Sequence, residues 1–533
     1  MTEKKFKRSP LIETIKTLLF VIGLDFGTTF SKVTVIDETG RVVIVKCKGK
    51  DLQIPTVVVY ADGKVICGGL ALSYAAVFPD SFFEEFKRLL GQTDGQGRPL
   101  VLGHDPKTGA EITPVVLAGE FMTYLKSIVE EELQGEIGGV VITVPAYFTD
   151  LGRRHVREAS GMAGLPVLGL LDEPVAAAID YKAEYDIEGI FAVVDLGGGT
   201  FDVTVIRFDE AAAEPFKVLA TDGDQRLGAT DFNLNLMEHV LAKFKAEHGY
   251  EPDSEQDQAD LQELKPKVTV ARMDLSDVDS VVIPVRIRTH QTNVTVTRAE
   301  FEELNRPILA LIIEIIRRAL QKANLESREV DHFLLVGGGT RMPCVEAAVA
   351  GAFGRPVKAI KDREFAVAKG AAIQAVNLGK KSSDSEIVSA VLHLPAPEIE
   401  IKNKTAHPLC VQVADPTNPQ SGSVFCHVMI PAQSSIPCSV EQRFTPLADY
   451  QQFANVVVCQ GEEGTAVLPA TIAGRVNLPL NPPLPRDQRR DSILVRYSID
   501  SDALIHVSAK DVMSNAEVTG DVALVTGQVP ASS

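Results

Sequence analysis

Two acids, each closing an apolar run and each followed by a glycine turn, are the residues best placed for chemistry. Residues 21–37 read VIGLDFGTTFSKVTVID, and residues 191–206 read FAVVDLGGGTFDVTVI. A shift of 170 positions lays Asp25 on Asp195, Gly27 on Gly197 and Val33–Ile36 on Val203–Ile206. A glycine turn after a strand lets backbone N–H groups approach an anion, because no Cβ stands in the way. Thr28, Thr29 and Thr200 beside the turns add hydroxyl donors. Phosphate suits such a cradle, but a carboxylate at the strand end repels it unless a cation lies between. Mg2+ fills that role, since it bridges carboxylate to phosphate and keeps several waters. One such turn is equally well a hairpin with a glycine. Two, each with an acid at the same place, predict one polyphosphate gripped from both sides.

Those turns need strands ahead of them and a scaffold that sets the two copies face to face. Apolar runs of buried type at 21–25, 140–144, 191–195 and 333–336 read as strands. Helical patterns lie between them. The clearest starts at Thr297, where Thr-Arg-Ala-Glu300 has the spacing of a capping box. Phe301, Leu304, Ile308, Leu311, Ile312 and Ile315 are then expected to line one face. This alternation, with hairpins at 33–36 and 203–206, indicates α/β architecture in two related halves.

The character changes near Gly379. GKKSSDSEIVSAVLHLPAP is polar, then modestly apolar, then marked by prolines, as an interdomain linker is. Short strands follow from Glu398. In one of them Ile493, Val495, Tyr497 and Ile499 alternate with Arg496, Ser498 and Asp500, the pattern of a half-buried antiparallel strand. About eight such strands and no long helix predict a β-sandwich. The organisation is therefore an extension at 1–20, an α/β domain at 21–378, a linker at 379–393, a sandwich at 394–524 and a tail at 525–533.

At 533 residues, 45% hydrophobic and 23% charged, the chain has the composition of a soluble multidomain protein. Its net charge of −18 argues against broad nucleic-acid binding, which needs a basic footprint. The seven cysteines, Cys47, Cys67, Cys344, Cys410, Cys426, Cys438 and Cys459, are odd in number and form no CxxC pair. That pattern suits reduced thiols acting as small buried hydrophobes, and a cytoplasmic location. No stretch approaches the roughly 18 apolar residues of a membrane span. The N-terminal MTEKKFKRSPLIETIKTLLF carries a helical stripe without a cleavage site, and reads as an amphipathic helix docking on the protein.

One further glycine-rich segment, LLVGGGTRMP, extends the pattern. IGLDFGTTFSKV, VVDLGGGTFDVTV and LLVGGGTRMP resemble the nucleotide-contacting segments of the actin-like ATPase superfamily, with its ribonuclease H-like lobes. More narrowly, EFKRLLG, VITVPAYFTD, GLLDEPVAAAIDY and FAVAKGAAIQA are similar to the DnaK-type seventy-kilodalton heat-shock chaperones. The resemblance runs from about residue 21 to residue 378, and the strand-rich remainder resembles that family's peptide-binding sandwich. It implies ATP or ADP with Mg2+, and K+ as a further candidate. Asp25, Asp195 and Asp202 are implied as cation ligands. Gly27, Thr28, Thr29, Phe30, Gly197, Gly198, Gly199 and Thr200 are implied around the phosphates. Lys87, Glu173, Asp195 and Thr200 are implied in hydrolysis, Lys87 offsetting charge on the transferred phosphoryl group. Arg272, Ser276, Gly337, Gly338, Gly339, Arg341 and Glu364 are implied around the adenosine. Pro145 and Arg153 match positions that relay nucleotide state between domains. Polypeptide clients, J-domain co-chaperones and nucleotide exchange factors are the implied partners, with no nucleic acid and no membrane span.

The chain departs from that family at identifiable places. TVARMDLS puts Thr269 and Met273 where polar adenosine contacts are expected, although Arg272 can stack on a base. Gly339 stands where serine is usual, and Phe30 where tyrosine is common. SEIVSAVL replaces an acidic, leucine-rich linker. The family's sandwich is followed by a helical lid, and the expectation here is a lidless variant with weakened coupling between the ATP and peptide sites. Three alternatives stand beside an ATP-dependent chaperone: an ATP-binding scaffold with little turnover, a small-molecule kinase on the same core, and an actin-like filament former. The sandwich disfavours the last two.

Overall fold

The 170-residue echo is an architectural repeat, down to the pairing of single residues. The computed structural model describes residues 18–522, apart from 48–50, 95–97, 147, 186–187, 210–215, 255, 355–356, 360–361, 398–400, 403–404, 406–407, 416–421, 433, 468–471 and 501–503. The N-terminal stripe, but for Leu18 and Leu19, and the 525–533 tail lie outside the described residues. In the first lobe the sheet runs Val167–Asp172, Glu136–Val144, Leu19–Asp25, Phe30–Ile36, Val42–Ile44. The second runs Lys358–Ala359, His332–Val336, Gly189–Leu196, Phe201–Phe208, Phe216–Asp224. In each, the acid-bearing strand is parallel to one neighbour and forms an antiparallel hairpin with the other. Asp25 faces Lys32 across the first hairpin, and Asp195 faces Asp202 across the second.

Each sheet is covered on both sides, which is why its central strands read as unbroken apolar runs. Helices Pro114–Leu133 and Asp150–Met162 cover the outer face of the first sheet, burying Leu117, Phe121, Leu125 and Val156. Thr113 and Thr149 start these helices with side-chain N-caps. On the second lobe Arg306–Lys322 and Pro343–Phe353 do the same through Ile312, Ile316 and Val345.

Between the two sheets lies a third core. Helices Glu173–Tyr185 and Ala366–Lys380 cross there, packing on Val21 and Val141 from one sheet and on Val193, Ile206 and Val336 from the other. The crossing is close because the facing residues are small, Ala176, Ala177, Ala371 and Ala372 among them. A Cβ at Gly370 would stand 1.7 Å from the Ala176 carbonyl oxygen, so only glycine fits.

The Thr297 capping box forms as expected, with Glu300 reaching back to the Thr297 N–H at 2.7 Å. The single helix does not. It breaks at Asn305 into Arg298–Leu304 and Arg306–Lys322, with Pro307 in the first turn of the second piece. The break shifts the buried face, so Leu311 is exposed while Ile313, Ile316 and Leu320 join Ile312 and Ile315 inside. Within the stretch read as a linker, helix Ser385–Val391 buries Ile387 and Val391 against the interlobe core. Further on, Ile401–Lys402 adds a parallel edge strand to the second sheet beside Phe216–Lys217.

Among the described residues the C-terminal module has eight strands in two four-stranded sheets. One holds Leu409–Ala414, Val424–Ile430, Phe453–Gln460 and Ile472–Pro479. The other holds Cys438–Phe444, Ile493–Ile499, Ile505–Asp511 and Glu517–Val522. Val411, Val456, Val495 and Val507 fill the space between them. Six of the seven cysteines are buried and Cys438 is half-buried. No helix among the described residues is long and apolar enough to cross a membrane.

One buried charge sits in the interlobe core. Asp180, on Glu173–Tyr185, is pushed up to about 7 by burial, which outweighs attraction from Lys369. Its Oδ2 has no hydrogen-bond partner. Folding therefore favours the protonated form: the stability is fully present below the ordinary carboxylate pKa and is lost as pH rises through about 7. Asp180→Asn is expected to flatten this dependence. Between pH 5 and pH 8 the wild-type unfolding midpoint should fall while the variant's changes less; parallel profiles would show that Asp180 is solvated.

Candidate functional site

The two repeated hairpins point their turns into one cavity of about 670 Å³ between the lobes, a size suited to a nucleotide. Asp25 and Asp195, at the ends of their buried strands, reach its floor. Gly27, Thr28, Thr29 and Phe30 line it from one side, and Gly197, Gly198 and Thr200 from the other. The turns nearly touch. A Cβ at Gly198 would lie 2.1 Å from Thr29 Oγ1, so the absence of a side chain there brings the second turn against the first.

Lys87 comes from the short turn Phe86–Leu89 of the first lobe and is only 1% exposed. Its Nζ donates to Glu173 Oε1 at 2.6 Å, and it lies 5.6 Å from the Phe26 ring centroid. Glu173 is placed by its position as the first residue of Glu173–Tyr185. Burial raises its pKa, with Lys87 opposing. Burial also lifts Asp195 well above the usual carboxylate range, and Glu173 and Asp25 add repulsion. Three crowded carboxylates of this kind favour an added cation. Among the described residues no three His, Cys, Asp or Glu side chains could hold a metal by themselves. A cation here would take its other ligands from phosphate and water, which fits Mg2+ and its preference for retained waters.

The far wall is the adenosine side of the expectation. Arg272 is buried, its Nε donates to Asn233 Oδ1 at 2.8 Å, and burial lowers its guanidinium to about 10, still charged at neutral pH. Arg341 pairs with Glu364 at 3.1 Å. Ser276, Gly337, Gly338 and Gly339 line the same cavity, as do the atypical Thr269 and Met273. The serine-to-glycine departure has a steric reason. A Cβ at Gly339 would stand 2.7 Å from both the Leu196 carbonyl oxygen and Leu196 Cγ.

Two expected residues do not line the cavity. Asp202 is buried behind it, paired in register with Asp195. Gly199 instead accepts a hydrogen bond from Arg88 Nε at 2.7 Å through its carbonyl. Arg88 also donates to Asp231 at 2.8 Å, and Lys265 to Glu84 at 2.7 Å, so first-lobe and second-lobe residues are tied across the cleft. Among the lining residues that sequence reasoning missed are Lys32, Gln53, Thr230, Asn233, Asp274, Asp277 and Arg363. Lys32 was visible in the repeat, since the 170-residue shift sets it against Asp202; the others have no local pattern.

A second set of buried charges leads away from the cavity. Asp172, next to Glu173, is paired with Arg153 at 2.5 Å. Arg153 belongs to Asp150–Met162, whose Asp150 accepts the Ile505 N–H at 2.7 Å while Arg154 donates to the Ile505 carbonyl at 2.6 Å. The start of the inner strand Ile505–Asp511 of the sandwich is thus held on the first lobe. Pro145 closes the strand Glu136–Val144 just ahead of that helix.

A family model described as Hsp70 protein matches residues 21–530. That is nearly the whole chain, and the chain belongs to the Hsp70 family, a family of ATP-binding chaperones.

Restoring serine at position 339 is expected to harm rather than help. Gly339→Ser should lower stability by about 1–3 kcal/mol, as overpacking does, read as a drop in the thermal unfolding midpoint. An unchanged midpoint would show that the 337–341 turn relaxes.

Proposed function

We propose that this chain hydrolyses ATP in the interlobe cavity and couples the nucleotide state to binding of extended apolar client segments by its sandwich. The observation that carries the reading is the convergence of Asp25, Asp195 and the buried Lys87–Glu173 pair between two glycine turns. Mg2+, when bound, would neutralise phosphate charge and hold a phosphate oxygen in place. Backbone N–H groups of the two turns, with the Thr28, Thr29 and Thr200 hydroxyls, would hold the phosphate oxygens. The Lys87 ammonium would offset charge developing on the transferred phosphoryl group in a site sheltered from water. Glu173 keeps Lys87 aimed into the cavity, and its carboxylate can accept a hydrogen bond from the attacking water. Arg272 and Arg341 offer guanidinium planes on which an adenine could stack.

The same residues suggest how the nucleotide reaches the sandwich. Glu173 follows Asp172, Asp172 holds Arg153, and the helix bearing Arg153 also carries both groups that clasp Ile505. A shift of Glu173 on hydrolysis would be felt by that clasp. For clients, Leu447 and Tyr450 are exposed in the connection between Cys438–Phe444 and Phe453–Gln460, and Phe453 is exposed where it ends. Exposed apolar side chains grouped in this way suit an extended peptide held by main-chain hydrogen bonds and side-chain pockets. J-domain proteins and exchange factors are proposed as partners from family membership.

Single-turnover hydrolysis tests the catalytic half. Asp195→Asn should slow it by at least about tenfold, and Lys87→Ala should cut turnover more than ATP affinity. Wild-type rates in both variants with ATP bound would remove the catalytic reading. For the client half, full-length protein should bind a labelled apolar peptide in fluorescence anisotropy with an affinity that ATP alters. Phe453→Asp should weaken that binding, and no saturable binding with or without ATP would leave an ATPase without a client site.

A further inference from the structure

Lys32 breaks the symmetry of the repeat at the one place where the break changes the charge of the cavity. The two hairpins are in identical register, so Lys32 opposite Asp25 is the counterpart of Asp202 opposite Asp195. One hairpin therefore carries an ion pair where the other carries two acids, of which Asp195 lines the cavity. Lys32 Nζ donates to Asp25 Oδ2 at 2.8 Å, its side chain is 12% exposed, and both residues line the cavity. Asp25 is its one hydrogen-bond partner among the described residues. An ammonium has three N–H donors. Burying it with one of them matched is costly unless something in the cavity takes the others. Neutralising Asp25 alone would leave that cost standing, whereas an anion in the cavity removes it.

We propose that Lys32 is a phosphate-binding residue, a fixed ammonium that supplies part of the charge otherwise demanded from a bound divalent cation. The inference rests on reading the cavity as a nucleotide site. With Lys32 and Lys87 both lining the cavity, two fixed positive charges stand beside Asp25, Asp195 and Glu173 before any metal arrives. Phosphate oxygens can then be held by two ammoniums from the first lobe and by the backbone of both turns. An acid reaching the cavity from this position would instead add repulsion toward a metal-free polyphosphate. The consequence is a site that takes nucleoside di- and triphosphates in metal-free form as well as with Mg2+.

The measurement is equilibrium binding of a fluorescent ADP analogue to the full-length protein, in excess Mg2+ and in EDTA. In the wild type, removing Mg2+ should weaken binding by less than about tenfold. In Lys32→Met the ratio of the two dissociation constants should grow at least tenfold, and Lys32→Arg, which keeps the charge, should return it toward the wild-type value. An unchanged ratio in Lys32→Met overturns the proposal and leaves Lys32 as a structural partner of Asp25. If Lys32→Met fails to fold, the wild type decides: a loss of more than a hundredfold in EDTA overturns the proposal. Wild-type protein that binds no nucleotide even with Mg2+ would overturn the nucleotide reading itself, a different and distinguishable result.

Discussion

The close crossing of Glu173–Tyr185 over Ala366–Lys380 is the constraint from which the rest of the two-lobed core follows. The two helices fill the space between two sheets, and alanines with Gly370 let their backbones nearly touch. Their separation sets how far apart the lobes stand, and so the width of the cavity that both sheets face. The crossing also delivers side chains to that cavity, since Glu173 begins one helix and Val367 lies in the first turn of the other. A bulkier residue at Gly370 would push the lobes apart and pull Glu173 away from Lys87. Packing here is the means by which charges are aimed.

Burial then makes those charges act on one another. Asp195, Glu173 and Asp25 approach each other at the strand ends, where little water remains to screen them. The lysines offset part of the repulsion, each tied to a single carboxylate. Between these charges stand the two glycine turns, whose backbone N–H groups are neutral donors. The cross-cleft bonds of Arg88 and Lys265 hold the lobes around the cavity without entering it.

The sandwich is attached at two separated places. Its leading segment continues the second lobe's sheet through Ile401–Lys402, and the start of its inner strand Ile505–Asp511 is clasped on the first lobe. Any change in the angle between the lobes must be taken up along that double attachment. A different device holds the module itself together. Arg489 and Asp511 form a fully buried ion pair at 2.9 Å, and the Arg489 guanidinium also donates to the Pro482 carbonyl. Losing one partner of such a pair leaves an uncompensated charge, so the two residues depend on each other.

Much of this was legible in the sequence, for a physical reason. The period of a strand, the position of an acid at its end and the glycine after it are local features, and their repetition 170 residues apart made the two-lobed α/β core and its paired glycine turns readable. The eight alternating strands of the sandwich and the Thr297 cap were legible on the same grounds. What is decided by distant atoms was not. Pro307 is a local signal for the break at Asn305, whereas nothing near Ile387 announces that a polar stretch folds onto the interlobe core. The chemical partners belong to the same class. Lys87 with Glu173, Arg153 with Asp172, and Arg88 with Gly199 lie 86, 19 and 111 residues apart, and only tertiary packing brings them within hydrogen-bond reach. The sequence by itself determined which groups were available and which local turns would carry them. The tertiary structure alone decided which charges meet, because pairing is set by the distance between lobes, and that distance is set by how closely two helices of small residues can pack.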